Sequence, residues 1–277
     1  MILCFFLLLG DSGSAILIRV MGMILAVLAV EIILQGISCL GVSPSQHTSN
    51  RVSLMAPVQQ SLNFFSKYGV TLSVLFVMAN VAAEVVSINL ANSFQLNAPW
   101  NDMVASFIGT GVFEPIASGA AIFFIASRDK GQFLSVYDCV MKALGMYSQL
   151  LICYMATTLL VLFGLSFYVI PGLFLLYKVI FAEYFIILNE DDPMQAIQHS
   201  FKRTEGNAAL LFPAFCVILT LLLGCNILTE AVIASLGGSN SLRILGALVE
   251  APLLAFILVV GYRLFSLTSD TPPKASV

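Results

Sequence analysis

Between residues 68 and 266 the chain carries six stretches of about 20 mostly apolar residues, each long enough to cross a ~30 Å hydrocarbon core as a helix. A helix is also the form in which such a stretch satisfies its own peptide groups where no water is present. The spans are placed at residues 68–90, 103–127, 146–168, 172–189, 207–232 and 244–266. Composition agrees: 59% of the residues are hydrophobic and 10% charged, against roughly 45–50% and 25% in soluble domains. The breaks between spans are too short for a folded extramembrane domain. The expected class is therefore all-α, a polytopic transmembrane helical bundle forming one integral domain over residues 51–267, with a short tail at 268–277. A net charge of −3 with no Lys/Arg-rich run leaves nothing to neutralise a phosphate backbone, which argues against a nucleic-acid partner.

Charge matters by position, because short cytoplasmic loops carry the excess of Lys and Arg. Arg51 and Lys67, then Arg128, Lys130 and Lys142, then Lys202 and Arg203, and finally Arg263 and Lys274 fall on one side of the spans, and Arg243 alone falls on the other. Residue 51 and the C-terminus are both expected in the cytoplasm, as an even number of spans allows. Trp100 at one boundary and Tyr68, Tyr147 and Tyr262 at the other suit headgroup depths. Tyr168–Gly172 makes a tight external hairpin, with Pro171 suited to the first turn of the next helix.

Residues 1–50 form an N-terminal hydrophobic extension. No basic segment precedes the apolar run at residues 2–9 and no Ala-x-Ala-like site follows it, which disfavours a cleaved signal peptide. Residues 15–40 are apolar enough to cross, although Arg19 and Glu31 interrupt them, and are expected to form an extra N-terminal span.

Short amphipathic helices are expected before the first, third and fifth spans, so the six core spans read as three hairpins, each preceded by a cytoplasmic interfacial helix. The first covers about residues 55–66, with Val58, Leu62 and Phe65 on one face; the second covers about 132–143. In the third, Asp192 as N-cap, Pro193 at N1 and Gln195 at N3 suggest a capping box. Met194, Ile197 and Phe201 form its apolar face and Lys202 and Arg203 end it, which makes it a candidate cytoplasmic interaction helix. Each helix closes on a basic residue with glycine soon after: Lys67 and Gly69, Lys142 and Gly145, Lys202 and Gly206.

Three segments carry a family resemblance over roughly residues 55–266. They are Val169-Ile170-Pro171-Gly172; Glu190-Asp191-Asp192-Pro193 followed by Ala196-Ile197, Ser200 and Gly206-Asn207; and Gly261-Tyr262-Arg263-Leu264-Phe265. In these the chain resembles the YciC-like inner-membrane proteins of bacteria, grouped with the membrane domain of glycerophosphodiester phosphodiesterases. The resemblance implies a fold and a bacterial inner-membrane location, and no catalytic residues. Residues 1–50 lie outside it.

Glu84, Glu114, Lys178, Glu183, Glu230 and Glu250 fall inside the expected spans. A charged side chain at mid-helix costs about 2.5–3.5 kcal/mol on insertion scales, so such groups face the bundle interior or pair. Two readings stay open: a polar path or pocket for a proton, ion or lipid headgroup, with Lys178 as counter-ion to several carboxylates, or interhelical glue. Glu114 is the sharpest case, since Pro115 beside it frees backbone carbonyls, yet Gly111, Pro115 and Gly119 at four-residue spacing also describe a close-packing face.

Metal and enzyme chemistry find little support. Cys4, Cys39, Cys139, Cys153, Cys216 and Cys225 form no C-x-x-C pair and read as small packing residues, and His47 and His199 have no ligand partner at metal spacing. No H-E-x-x-H, G-x-S-x-G or phosphate-binding glycine loop is present. No cofactor is expected. The expected role is structural or accessory, with membrane lipids and other membrane proteins as partners; a transporter or channel for a small solute or lipid is the alternative.

Overall fold

The computed structural model describes residues 55–93, 100–237 and 240–269. The extra N-terminal span expected over residues 15–40, His47, the ring of Trp100 and the tail from residue 270 lie outside the described residues and side chains.

Every described element is a helix. In chain order these are α1 Met55–Ser93, α2 Trp100–Asp129, α3 Val136–Gly145, α4 Tyr147–Phe167, α5 Val169–Val179, α6 Ala182–Asn189, α7 Pro193–Gly206, α8 Ala208–Ser235 and α9 Asn240–Ser269. Six segments are long and apolar enough to cross a membrane: Pro57–Ser93, Val104–Asp129, Tyr147–Phe167, Val169–Asn189, Leu210–Ser235 and Asn240–Thr268. The chain is thus an all-α polytopic bundle, a multi-pass membrane protein whose fourth span is made of α5 and α6 in series.

The helices pair as the three expected hairpins, α1 with α2, α4 with α5, and α8 with α9. A contact between hairpins is as extensive as any within one: α9 packs along α1. The middle hairpin reaches the others through α2, which touches α4 and α6. Glycine permits the close approaches. A Cβ on Gly109 of α2 would stand 2.5 Å from the Ala83 carbonyl oxygen of α1, and one on Gly164 of α4 would stand 2.9 Å from Gly172 Cα of α5. Gly111 faces Tyr154, Pro115 is buried, and Gly119 faces Leu150, Ala143 and Ile187, so the four-residue spacing on α2 is a packing face toward the middle hairpin.

The short helices depart from expectation in three ways. The first is not separate: residues 55–66 run without a break into the first span as one 39-residue helix. Gly69 does not interrupt it: the Phe65 ring, one turn back, covers the space where a Cβ would sit, and no proline follows to break the helix. The other two fold back on the hairpin that precedes them: α3 packs on α2, and α7 packs on α4, α5 and α6. Lastly, Asp192 occupies the N-cap of α7 with Pro193 at N1, but makes no side-chain capping bond. A capping box is made instead at α3, where Ser135 and Asp138 exchange side-chain and backbone bonds.

The Gly109 contact is with backbone and cannot yield by rotating a side chain. Gly109→Val should lower stability by about 1–3 kcal/mol through overpacking. Thermal unfolding in detergent should show it against a Gly224→Ala control, since nothing lies within 4 Å of a Cβ at Gly224.

Candidate functional site

The ionisable residues of the spans separate into three places. At the end of the bundle away from Arg128 and Arg263, Glu84 of α1, Glu230 of α8 and Glu250 of α9 line one cleft with Ser106, Thr229 and Arg243. Arg243 Nε stands 2.8 Å from Glu84 Oε1, with 28% and 18% of the two side chains exposed. The approach is an ion pair rather than an aligned hydrogen bond, since Glu84 Oε1 accepts none. Asn226 Nδ2 donates to Glu250 Oε1 at 3.4 Å. Gly246 lets α8 come close to α9 here, as a Cβ would stand 2.8 Å from Thr229 Cγ2. The cation of the cluster is therefore Arg243, not Lys178.

Glu114 and Glu183 make the second place, between α2 and α6. Glu183 stands near Ser118 and in the field of Glu114, while the Ser118 hydroxyl donates to the Pro115 carbonyl at 3.4 Å. Pro115 leaves α2 continuous across the site.

Lys178 makes the third, alone among the six. It ends α5 where the fourth span breaks, half of a joint with α7. Its ammonium is 3.8 Å from the exposed Glu205 of α7 and stands over the rings of Phe174 and Phe201, 5.4 and 6.0 Å from their centres. Its backbone carbonyl accepts from the Ser200 hydroxyl at 2.6 Å, and that hydroxyl accepts from the Phe181 N–H at 3.1 Å. The Tyr177 hydroxyl donates to the Thr204 carbonyl at 2.9 Å. The lysine thus serves a joint between helices instead of balancing a set of carboxylates.

The expected interaction helix is turned differently from its apolar pattern. Its buried face is Ala196, Ser200 and Thr204. Met194 and Lys202 are exposed, Ile197 packs at the edge of the core, and Phe201 is half-buried beside Lys178. Arg203 points inward, its guanidinium 4.6 Å from the centre of the Phe185 ring and 4.3 Å from that of Phe265. Burial pulls its pKa below the ordinary arginine value, though arginine stays charged at neutral pH. His199 pairs with Asp191 at 2.7 Å.

Sequence reasoning missed Arg243 as a site residue, because it served there only to orient the spans. It also missed Ser200 and Thr204, whose spacing of four from Ala196 marks a small-residue packing face. Cys139, Cys153 and Cys216 are buried. Burial raises the Cys139 thiol above its usual value, which fits packing over reactivity. Among the described residues no group of three His, Cys, Asp or Glu side chains is placed to hold a metal ion.

No family model, curated protein or solved structure matches the chain.

Two outcomes follow for these contacts. A double-mutant cycle of Glu84→Gln and Arg243→Gln should give a coupling energy of about 1–2 kcal/mol by unfolding in detergent, and zero coupling would show that the pair does not join α1 to α9. Arg203→Lys should cost about 1 kcal/mol or more despite keeping the charge, because an ammonium cannot fill the slot between two rings as a planar guanidinium does.

Proposed function

We propose that this protein is a structural or accessory component of a bacterial inner membrane, acting through its helix surfaces on lipids and on other membrane proteins, and not through a transported substrate or a catalysed reaction. One observation carries this: the six intramembrane ionisable residues fall into three separate places, three of them bound to a partner on another helix, and do not converge on one path. Glu84 meets Arg243, Lys178 meets Glu205 and Glu250 meets Asn226. Size points the same way. The cleft at Arg243 holds about 70 Å³, room for a few waters, where pockets for small molecules run to roughly 300–1,000 Å³.

The inner-membrane location rests on the likeness to the YciC-like proteins. A cytoplasmic C-terminus is supported by the charge distribution. Lys67 and Arg128 share the Tyr68 ring and Arg263 pairs with Asp129 at one end of the bundle, whereas Arg243 sits at the other.

Transport is the second reading, and Glu114 separates the two. In a background with the native cysteines replaced by alanine, cysteine at position 114 should resist soluble thiol reagents in intact membranes and in reconstituted protein alike. Labelling at 114 that changes with an imposed ion gradient would establish a water-filled path and sink the structural role.

A further inference from the structure

Among the described residues, three cations at the basic end of the bundle stand without a carboxylate partner. Arg128 closes α2 with its guanidinium 4.8 Å from the centres of the Phe124 and Phe133 rings and 5.4 Å from that of Tyr68. Lys67 stands 5.2 Å from the centre of the same Tyr68 ring. Lys130 is exposed in the turn that follows α2. Among the described residues none of the three has an acidic group within ion-pair distance. The two acids nearest in sequence are taken, Asp129 by Arg263 at 2.7 Å and Asp138 by the capping box of α3.

The surface beside these cations is apolar. Phe133 is 79% and Tyr137 70% exposed, and Met141 and Leu144 continue the stripe along α3. The opposite face of α3, with Cys139 and Ala143, is buried against the bundle. A ten-residue helix with apolar side chains both inward and outward, and Lys142 on its flank, is out of place in water. The spans also carry exposed apolar residues, Val70, Val74 and Met78 on α1 and Ile152 and Met155 on α4. The outward face of α3 is apolar in the same way as these lipid-facing positions of the spans.

We propose that Lys67, Arg128 and Lys130 form a binding site for the phosphate of an anionic phospholipid, with Phe133 and Tyr137 set among the acyl chains of that leaflet. Arginine and lysine supply the charge and the donors a phosphodiester requires. The Phe124, Phe133 and Tyr68 rings hold the guanidinium in place before any lipid arrives, which lowers the ordering cost of binding. The site rests on the chain being a membrane protein and not on which leaflet faces the cytoplasm.

The test is native mass spectrometry of the full-length protein, released from nanodiscs of phosphatidylcholine containing a minor fraction of phosphatidylglycerol. The wild type should retain phosphatidylglycerol in preference to phosphatidylcholine. Each cation at an anionic headgroup is worth about a fivefold change in occupancy, so Lys67→Gln with Lys130→Gln should lower retention about 25-fold. Both residues are exposed, so the double variant should fold, and Lys202→Gln on α7 should retain phosphatidylglycerol as the wild type does. Equal retention in the double variant and the wild type overturns the site. Full displacement of phosphatidylglycerol by inorganic phosphate overturns the lipid assignment. Tyr137→Cys carrying a bimane should be quenched by brominated acyl chains; quenching by aqueous iodide instead, or by neither agent because another protein covers α3, overturns the placement of Phe133 and Tyr137.

Discussion

A span in lipid can be broken only where something else satisfies the peptide groups that the break releases. In the fourth span that partner is a single hydroxyl, Ser200, which donates to the Lys178 carbonyl before the break and accepts from the Phe181 N–H within it. Much of the middle of the bundle follows. To bring Ser200 to Lys178, α7 must turn back at Glu190, whose left-handed backbone (φ 58°) closes α6, and run beside the span it has just left. That return places Thr204 under Tyr177, Glu205 beside Lys178 and Arg203 between Phe185 and Phe265. Phe181, buried at the break, joins the aromatic cluster of Tyr184 and Phe265 that ties the second hairpin to α9.

The last helix then works as the common strut. At the basic end Arg263 pairs with Asp129 of α2; in the middle the Leu258 carbonyl accepts from the Tyr184 hydroxyl of α6; at the far end Arg243 meets Glu84 of α1. Each is a polar contact between helices in a molecule where apolar packing alone discriminates weakly, since lipid tails are as apolar as leucine. Position, more than strength, is what these contacts supply. They explain how Glu84 is tolerated in a span where a lone charge at mid-helix costs about 2.5–3.5 kcal/mol: it is spent at a joint with Arg243.

The spans were legible because length and hydropathy are local properties, and the hairpins followed from short connections. What was illegible depended on partners distant in sequence. Asp192 and Pro193 look like the start of a capped helix, yet the nearby acid that finds a partner is Asp191, with His199 eight residues on. Met194, Ile197 and Phe201 obey helical periodicity, but the face that packs is Ala196, Ser200 and Thr204, because a helix that must approach a broken backbone needs small polar side chains there. Arg243 looked like a loop charge since it lies near the start of α9, and only the arrival of α1 and α8 beside it makes it the counter-ion of a cleft. The continuity of α1 was hidden for the opposite reason: a basic residue and a glycine resemble a helix end unless a neighbouring ring fills the gap, as Phe65 does at Gly69.

The two fold-back helices bear on how the bundle sits. Both α3 and α7 lie against the hairpin before them, yet α3 and the turn before it set Phe133, Tyr137, Met141 and Leu144 outward, while α7 turns out Gln195, Gln198, His199, Lys202 and Glu205 with only Met194 apolar among them. A bilayer surface that set both helices at one depth would leave one of them in the wrong solvent. Forgoing burial of a large apolar side chain costs about 1.5–3 kcal/mol, and a charge carried into hydrocarbon costs a similar amount or more. Spanning helices tilt by about 20° on average, so a modest lean resolves the conflict. A bundle seated with the α3 side deeper than the α7 side would satisfy both faces, letting Lys202 and Glu205 reach water while Arg128 stayed level with the headgroups, as the proposed lipid site requires.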